Sequence, residues 1–259
     1  MIRQIFLVFV IFALLFCGCK RREAQSGNTT ELLIYCGAGL RPVADELIAV
    51  FERDHGVRII ADYAGSEVLL SKMRLVHKGD LYMPGDKHYV DQAAKEDMIF
   101  SQSSVCYFVP TILVQKGNPK NIHTLADLLK PGVKVGLGDP KACAIGRKTM
   151  QILAKNNISR QDIEKNVLFQ SLTVNELGLQ IQAKSLDAVI VWDAIAKYYP
   201  DEGEEISIPP TMNVISTVDI GVLKFTANRS PAEDFLQFAA SDKGKAIFRK
   251  HLYTIELPK

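Results

Sequence analysis

The stretch ELLIYCGAGLRPVADELIAVFERDHGVRIIADYAGS, residues 31–66, decides the fold class. Glu31 to Cys36 is a short apolar run that reads as a strand, and Pro42 to His55 sets Val43, Leu47, Val50 and Phe51 on one helical stripe that Gly56 ends. Val57 to Tyr63 is strand-like again, and Ser66 reads as the N-cap of a second helix carrying Leu69, Leu70, Met73 and Val76. Asp80 to Met83 adds a short strand, and Asp86 is expected to cap a third helix with Val90 and Ala94 turned inward. A β-α-β-α-β order of this kind builds a sheet with helices on its faces.

Downstream the alternation continues. Val105 to Gln115 is a long apolar run without helical period and reads as one buried strand leaving the first unit. After the turn Lys116-Gly117-Asn118-Pro119, Thr124 and Asp127 have the spacing of a capping box on a short helix. Strands at Val133 to Leu137, Val167 to Leu172 and Ala188 to Trp192 alternate with helices starting near Ile145 and Asn175, a second α/β unit. Ile206 to Pro210 leads the chain back, Asn213 to Phe225 is β-rich, and Ser230-Pro231-Ala232-Glu233 reads as the cap and first turn of a helical tail. The expected organisation is two α/β domains, residues 31–112 with 211–259 and residues 113–210, joined by two crossover strands that form a hinge.

Composition sets the class. The 259 residues are 47% hydrophobic and 23% charged, which excludes a disordered or low-complexity chain. A net charge of +2, from 31 Lys+Arg against 29 Asp+Glu, offers no concentrated basic face and argues against a nucleic-acid partner. At the amino terminus Arg3 precedes the apolar run Ile5 to Phe16, the length of a signal h-region and short of a relaxed membrane span. Cys17-Gly18-Cys19 follows, so residues 1–18 read as a signal peptide resembling a bacterial lipobox, with lipidation on Cys19 and a tether over 19–30. The protein is then expected on the outer side of the cell membrane, held by its acyl chains. Cys36, Cys106 and Cys143 match neither zinc nor CxxC spacing and read as buried free thiols, and the five scattered histidines lack HExxH spacing, so no metal or cofactor is expected.

Three strand-to-helix joins share one chemistry. Gly37-Ala38-Gly39, Ala64-Gly65-Ser66 and Gly138-Asp139-Pro140 are small-residue turns, and a helix start offers free N–H groups and the positive end of its dipole to an anion. In an open α/β sheet such turns face one crevice at the carboxyl ends of the strands. In this order, with Ile190-Val191-Trp192 and the tail Phe235-Leu236-Gln237-Phe238, the turns resemble the periplasmic molybdate/tungstate-binding proteins of ABC transporters over roughly residues 31 to 250.

The resemblance implies a two-domain Venus-flytrap fold, each domain a mixed sheet flanked by helices. It implies a monomer that captures molybdate or tungstate, delivers it to an ABC permease, and is not an enzyme. It assigns the oxyanion to Ala38, Gly39, Ser66, Ile145, Val174 and Trp192, as neutral hydroxyl and N–H donors. Gly39 departs from the family's usual hydroxyl and Trp192 from its usual Tyr; Val174 stands where archaeal members carry a metal-completing carboxylate, which implies an intact four-oxygen anion. The same fold with sulfate, phosphonate or a small organic acid is the alternative, and a hydrolase built on Cys36 or Cys143 is the weaker rival. Ser66 also reads as a plain helix cap, Trp192 as core, Arg41 and Arg147 as solvated, and Asp80, Asp86, Glu176 and Asp193 as structural carboxylates.

Overall fold

The computed structural model describes residues 30–257, so the expected signal peptide and Cys19 lie outside the described residues. No helix among the described residues is long and apolar enough to cross a membrane.

The first lobe opens with strand β1 (Glu31–Gly37), a 3-10 turn Ala38–Leu40, helix α1 (Arg41–His55) and strand β2 (Arg58–Ala64). Helix α1 buries Val43, Ala44, Leu47, Ile48 and Phe51, while Val50 is only half-buried. Each of these side chains larger than alanine contributes about 1.5–3 kcal/mol on full burial. Gly56 ends the helix in the left-handed region at φ 66°, where its N–H closes on Glu52 O. Helix α2 (Ser66–Val76), strand β3 (Leu81–Met83), helix α3 (Lys87–Lys95) and strand β4 (Ile99–Phe108) complete this part of the chain.

The second lobe contains β5 (Pro110–Gln115), the 3-10 turn Leu125–Leu129, β6 (Val135–Gly138), α4 (Ala144–Lys155), α5 (Arg160–Glu164) and β7 (Val167–Ser171). Helix α6 (Val174–Gln182), β8 (Ala188–Trp192), α7 (Asp193–Ala196) and β9 (Gly203–Ser207) follow. Strand β10 (Ser216–Leu223) and helices α8 (Arg229–Ala240) and α9 (Asp242–Lys250) return to the first lobe. The two five-stranded sheets have orders β2-β1-β3-β10-β4 and β7-β6-β8-β5-β9. In the first, β1 pairs parallel with β2 and β3, and β10 is inserted antiparallel between β3 and β4, so the carboxy-terminal segment completes it. In the second, β6 runs parallel to β7 and β8 while β5 is antiparallel to β8 and β9. This is a two-domain Venus-flytrap architecture.

Several expectations need correction. Ala94 is exposed on α3, where Ala93 is the buried residue, and Val76 is exposed at the end of α2. The apolar run Val105 to Gln115 is not one strand: β4 ends at Phe108, Val109 is the crossing, and β5 belongs to the other sheet. Ser66 is not an N-cap; Gly65 occupies that position with no side-chain bond, and Ser66 is the first helical residue. Ser230 is likewise inside α8, whose cap position is Asn228. Pro231 is tolerated there because first-turn N–H groups have no intrahelical partner to lose.

Asp86 does cap α3, accepting from His88 N at 2.9 Å, and Asp127 accepts from the Thr124 N–H at 2.8 Å as the capping-box spacing requires.

The crossings are pinned by buried polar side chains. Asp193 Oδ1 accepts from Val109 N at 3.1 Å, Asp193 Oδ2 accepts from the Thr254 hydroxyl at 2.7 Å, and Lys197 Nζ lies 3.3 Å away. Asn213 Nδ2 donates to Pro110 O at 2.8 Å and so ties the returning segment to the outgoing one. Asp80, on the far side of the first sheet, accepts from Leu33 N at 2.7 Å and from the Thr226 hydroxyl. These carboxylates hold backbone in place, and among the described residues no cluster of His, Cys, Asp or Glu is suited to a metal ion.

Candidate ligand-binding cavity between the lobes

The turns after β1, β2, β6 and β7 meet at the cleft. Together with the end of β8 they enclose a cavity bordered by Ala38, Gly39, Ser66, Ile145, Val174 and Trp192, all six residues singled out from the sequence. Gly85, Phe108, Cys143 and Thr173 also border it, and the sequence reading had not placed these four there. The cavity leaves about 20 Å³ for the centre of a water-sized sphere, which corresponds to a round guest of about 3 Å radius. That is room for one small compact solute.

The wall is electrically neutral in side chains and positive in backbone. Helices α2, α4 and α6 start at Ser66, Ala144 and Val174, so three helix N-termini converge. Each brings unpaired first-turn N–H groups and roughly half a positive charge. Among the described residues no Lys, Arg, His, Asp or Glu borders the space. Among the described residues its one titratable wall group is Cys143, whose thiol burial pushes up to about 12. It therefore stays uncharged at neutral pH and adds nothing repulsive to an anion. A buried thiol held in the protonated form is also a poor nucleophile, which weakens the case for cysteine chemistry.

Ser66 is held for donation. Its Oγ accepts from Gly85 N at 3.1 Å and its carbonyl accepts from the Tyr82 hydroxyl at 2.8 Å. The hydroxyl proton is left for the cavity. Ser216 Oγ in turn donates to Gly85 O at 3.0 Å, which fixes the loop carrying that amide. Trp192 is 2% exposed and stacks face to face on Phe108, with ring centroids 4.7 Å apart and planes 4° from parallel. Phe108 comes from the first lobe and Trp192 from the second, so this pair forms a hydrophobic floor at the hinge. A Cβ on Gly39 would stand 3.5 Å from Trp192 Cδ1, so the N–H-bearing side of the indole is turned toward the first loop.

The two arginines named from sequence do not reach the cavity. Arg41 lies over the Tyr63 ring at 4.7 Å, and Arg147 lies 3.5 Å from Asp86 Oδ2. The latter belongs to an ion cluster that crosses the cleft: Lys148 Nζ, on α4, is 3.0 Å from the same oxygen. Asp86 and Lys148 are 3% and 8% exposed, and Asp86 Oδ2 has no other hydrogen-bond compensation. Backbone also meets backbone across the cleft, where Glu67 N donates to Ala142 O at 3.1 Å. The lobes are therefore in direct contact beside the cavity.

Glu176 is structural in the same sense, since its carboxylate takes the Ser171 hydroxyl beside the cavity wall. Cys36, Cys106 and Cys143 are buried free thiols.

A family model described as bacterial extracellular solute-binding protein matches residues 32–254. The molybdate-binding protein ModA of Mycobacterium tuberculosis is 22% identical over 244 residues, covering 92% of this chain and 91% of that one. The sulfate-binding protein of Salmonella typhimurium is 29% identical over 166 residues, covering 54% and 49%. Among solved structures, the periplasmic molybdate-binding protein of Azotobacter vinelandii superposes with a TM-score of 0.73 at 15% identity, over 88% of this chain and all of the other.

Proposed function

The chain belongs to the bacterial extracellular solute-binding proteins, and from that membership we propose that it captures one tetrahedral oxyanion, molybdate or tungstate, between its lobes and delivers it to an ABC permease. The observation that carries this reading is the pairing of cavity size with cavity chemistry. The space suits a guest of about 3 Å radius, and its wall offers helix-start N–H groups and hydroxyls with no counter-ion. Fixed neutral donors suit a dianion, because they compensate its lost hydration without fixing a protonation partner. Closure of the lobes over the solute would give the permease a shape to distinguish from the empty protein. Lipidation at Cys19 would keep the loaded protein at the membrane surface.

Sulfate is the second reading, favoured by the sulfate-binding relative and by Trp192, an N–H donor where the molybdate-binding family often has a Tyr hydroxyl. Thermal melting in the presence of molybdate, tungstate, sulfate and phosphate separates the two. A ligand at 100 times its dissociation constant adds about 2.7 kcal/mol of stability, so molybdate and tungstate should raise the melting temperature well beyond sulfate. A larger shift with sulfate would transfer the assignment to sulfate; no shift with any oxyanion would remove the oxyanion reading.

Ser66 gives a sharper expectation. Ser66→Ala deletes a hydroxyl bond to a charged acceptor, worth about 1.5–3 kcal/mol, so affinity should fall roughly ten- to a hundredfold. The substitution also leaves the Gly85 N–H without its 3.1 Å partner, which lowers the ligand-free melting temperature separately. Titration calorimetry on both proteins distinguishes the losses, and unchanged affinity would assign Ser66 to holding Gly85 alone.

A further inference from the structure

Among the described residues, two that carry hydroxyls border the cavity, and they come from opposite lobes: Ser66 at the start of α2 and Thr173 immediately before α6. Thr173 sits in the N-cap position of α6 with extended backbone, φ −137° and ψ 154°, yet its side chain makes no capping bond. A Thr in that position ordinarily turns its hydroxyl oxygen onto the second or third N–H of the helix. Here the hydroxyl has been left out of the helix.

The backbone of Thr173 is committed elsewhere. Its N–H donates to Ser171 Oγ at 3.2 Å, and its carbonyl oxygen lies 2.5 Å from the same Oγ, whose single proton it shares with the Glu176 carboxylate. Ser171 Oγ is itself held against the Glu176 carboxylate, and Ser171 is 1% exposed. With its N–H taken by Ser171 and its side chain free of a capping bond, the hydroxyl of Thr173 is available to a guest in the cavity that this residue borders. The first loop, in contrast, contributes Ala38 and Gly39, which have no side-chain donor.

We infer that the Thr173 hydroxyl is a ligand-binding donor of the second lobe, which supplies the bound oxyanion with the side-chain contact that Gly39 does not. The inference rests on the oxyanion reading of this cavity. One hydroxyl from each lobe then holds the same anion, so both bonds exist only in the closed form, and ligand affinity is coupled to closure. The Ser171–Glu176 contact fixes the Thr173 backbone in advance and reduces the ordering cost on binding.

Titration of molybdate and of sulfate into wild type, Thr173→Val and Thr173→Ser tests the inference. Valine keeps the shape and removes the hydroxyl; serine keeps the hydroxyl and removes the methyl. Thr173→Val should lose at least tenfold in affinity for the anion that wild type binds, with the ligand-free melting temperature unchanged because no cap bond is lost. Thr173→Ser should stay within about threefold of wild type. Wild-type affinity in Thr173→Val, or equal weakening in both variants, would overturn the role of the hydroxyl. Failure of the underlying oxyanion reading would look different, because wild type itself would then bind neither anion.

Discussion

Gly65→Ala should abolish tight ligand binding while leaving the ligand-free protein folded. The dihedral angles of Gly65, φ −64° and ψ 146°, are open to any L-residue, so the turn itself tolerates alanine. The obstruction is in the other lobe. A Cβ at this position would stand 2.4 Å from Ala142 O and 2.6 Å from Leu172 O, both of them backbone atoms that cannot rotate away. The same approach brings Glu67 N to its 3.1 Å bond with Ala142 O. Overpacking of this kind costs about 3 kcal/mol, and it falls on the closed form alone, so affinity should drop by about a hundredfold or more. Calorimetry and thermal melting check it together: a ligand-free melting temperature close to wild type, with the ligand-induced shift lost. Wild-type affinity would mean that the lobes do not need this contact to hold the solute.

Asp86→Asn should weaken binding without touching the cavity. Asparagine caps a helix as well as aspartate does, so the bond from His88 N at 2.9 Å and the start of α3 are retained. What disappears is the charge that Lys148 Nζ meets at 3.0 Å across the cleft. Lys148 keeps its contact with Ile215 O at 3.2 Å, but its ammonium would be enclosed on closure without a counter-ion. Removing one member of a buried pair costs about 3–5 kcal/mol; Arg147, with 28% of its side chain exposed, and an open form in which Lys148 is hydrated reduce that figure. A loss of roughly thirtyfold or more in affinity is expected. The double variant Asp86→Asn with Lys148→Met should recover part of it, since no ammonium is then buried. Equal affinities in all three proteins would show that the cross-cleft pair has no part in closure.

Helix α1 was legible in the sequence because its apolar residues keep one helical period, and strands β1 and β8 because each is a short, nearly unbroken apolar run. Strand β4 was legible only in its second half: Ser101, Gln102, Ser103 and Ser104 alternate half-buried and exposed along a sheet edge, and no apolar repeat marks them. The break at Val109 was invisible because the residues on either side are equally apolar and are buried in different sheets. In the cavity, the backbone donors could be read from small-residue turns, since a helix start declares itself locally. Thr173 carries a usable signal, a hydroxyl residue just ahead of a helix. Phe108 and the Asp86–Lys148 pair carried none. Phe108 reaches the cavity by stacking on Trp192 from the far side of the hinge, and Lys148 meets Asp86 only through the closing of two separately folded lobes. Such contacts are set by tertiary geometry, which no local pattern records.

Anomalous diffraction from crystals grown with molybdate tests the central claim most directly. The account predicts one strong molybdenum peak inside the cleft, with its oxygens at roughly 2.7–3.1 Å from Ser66 Oγ, the amides of Ile145 and Val174, and the indole N–H of Trp192. A cavity without anomalous density, with molybdenum found only against surface Lys and Arg side chains, would contradict it.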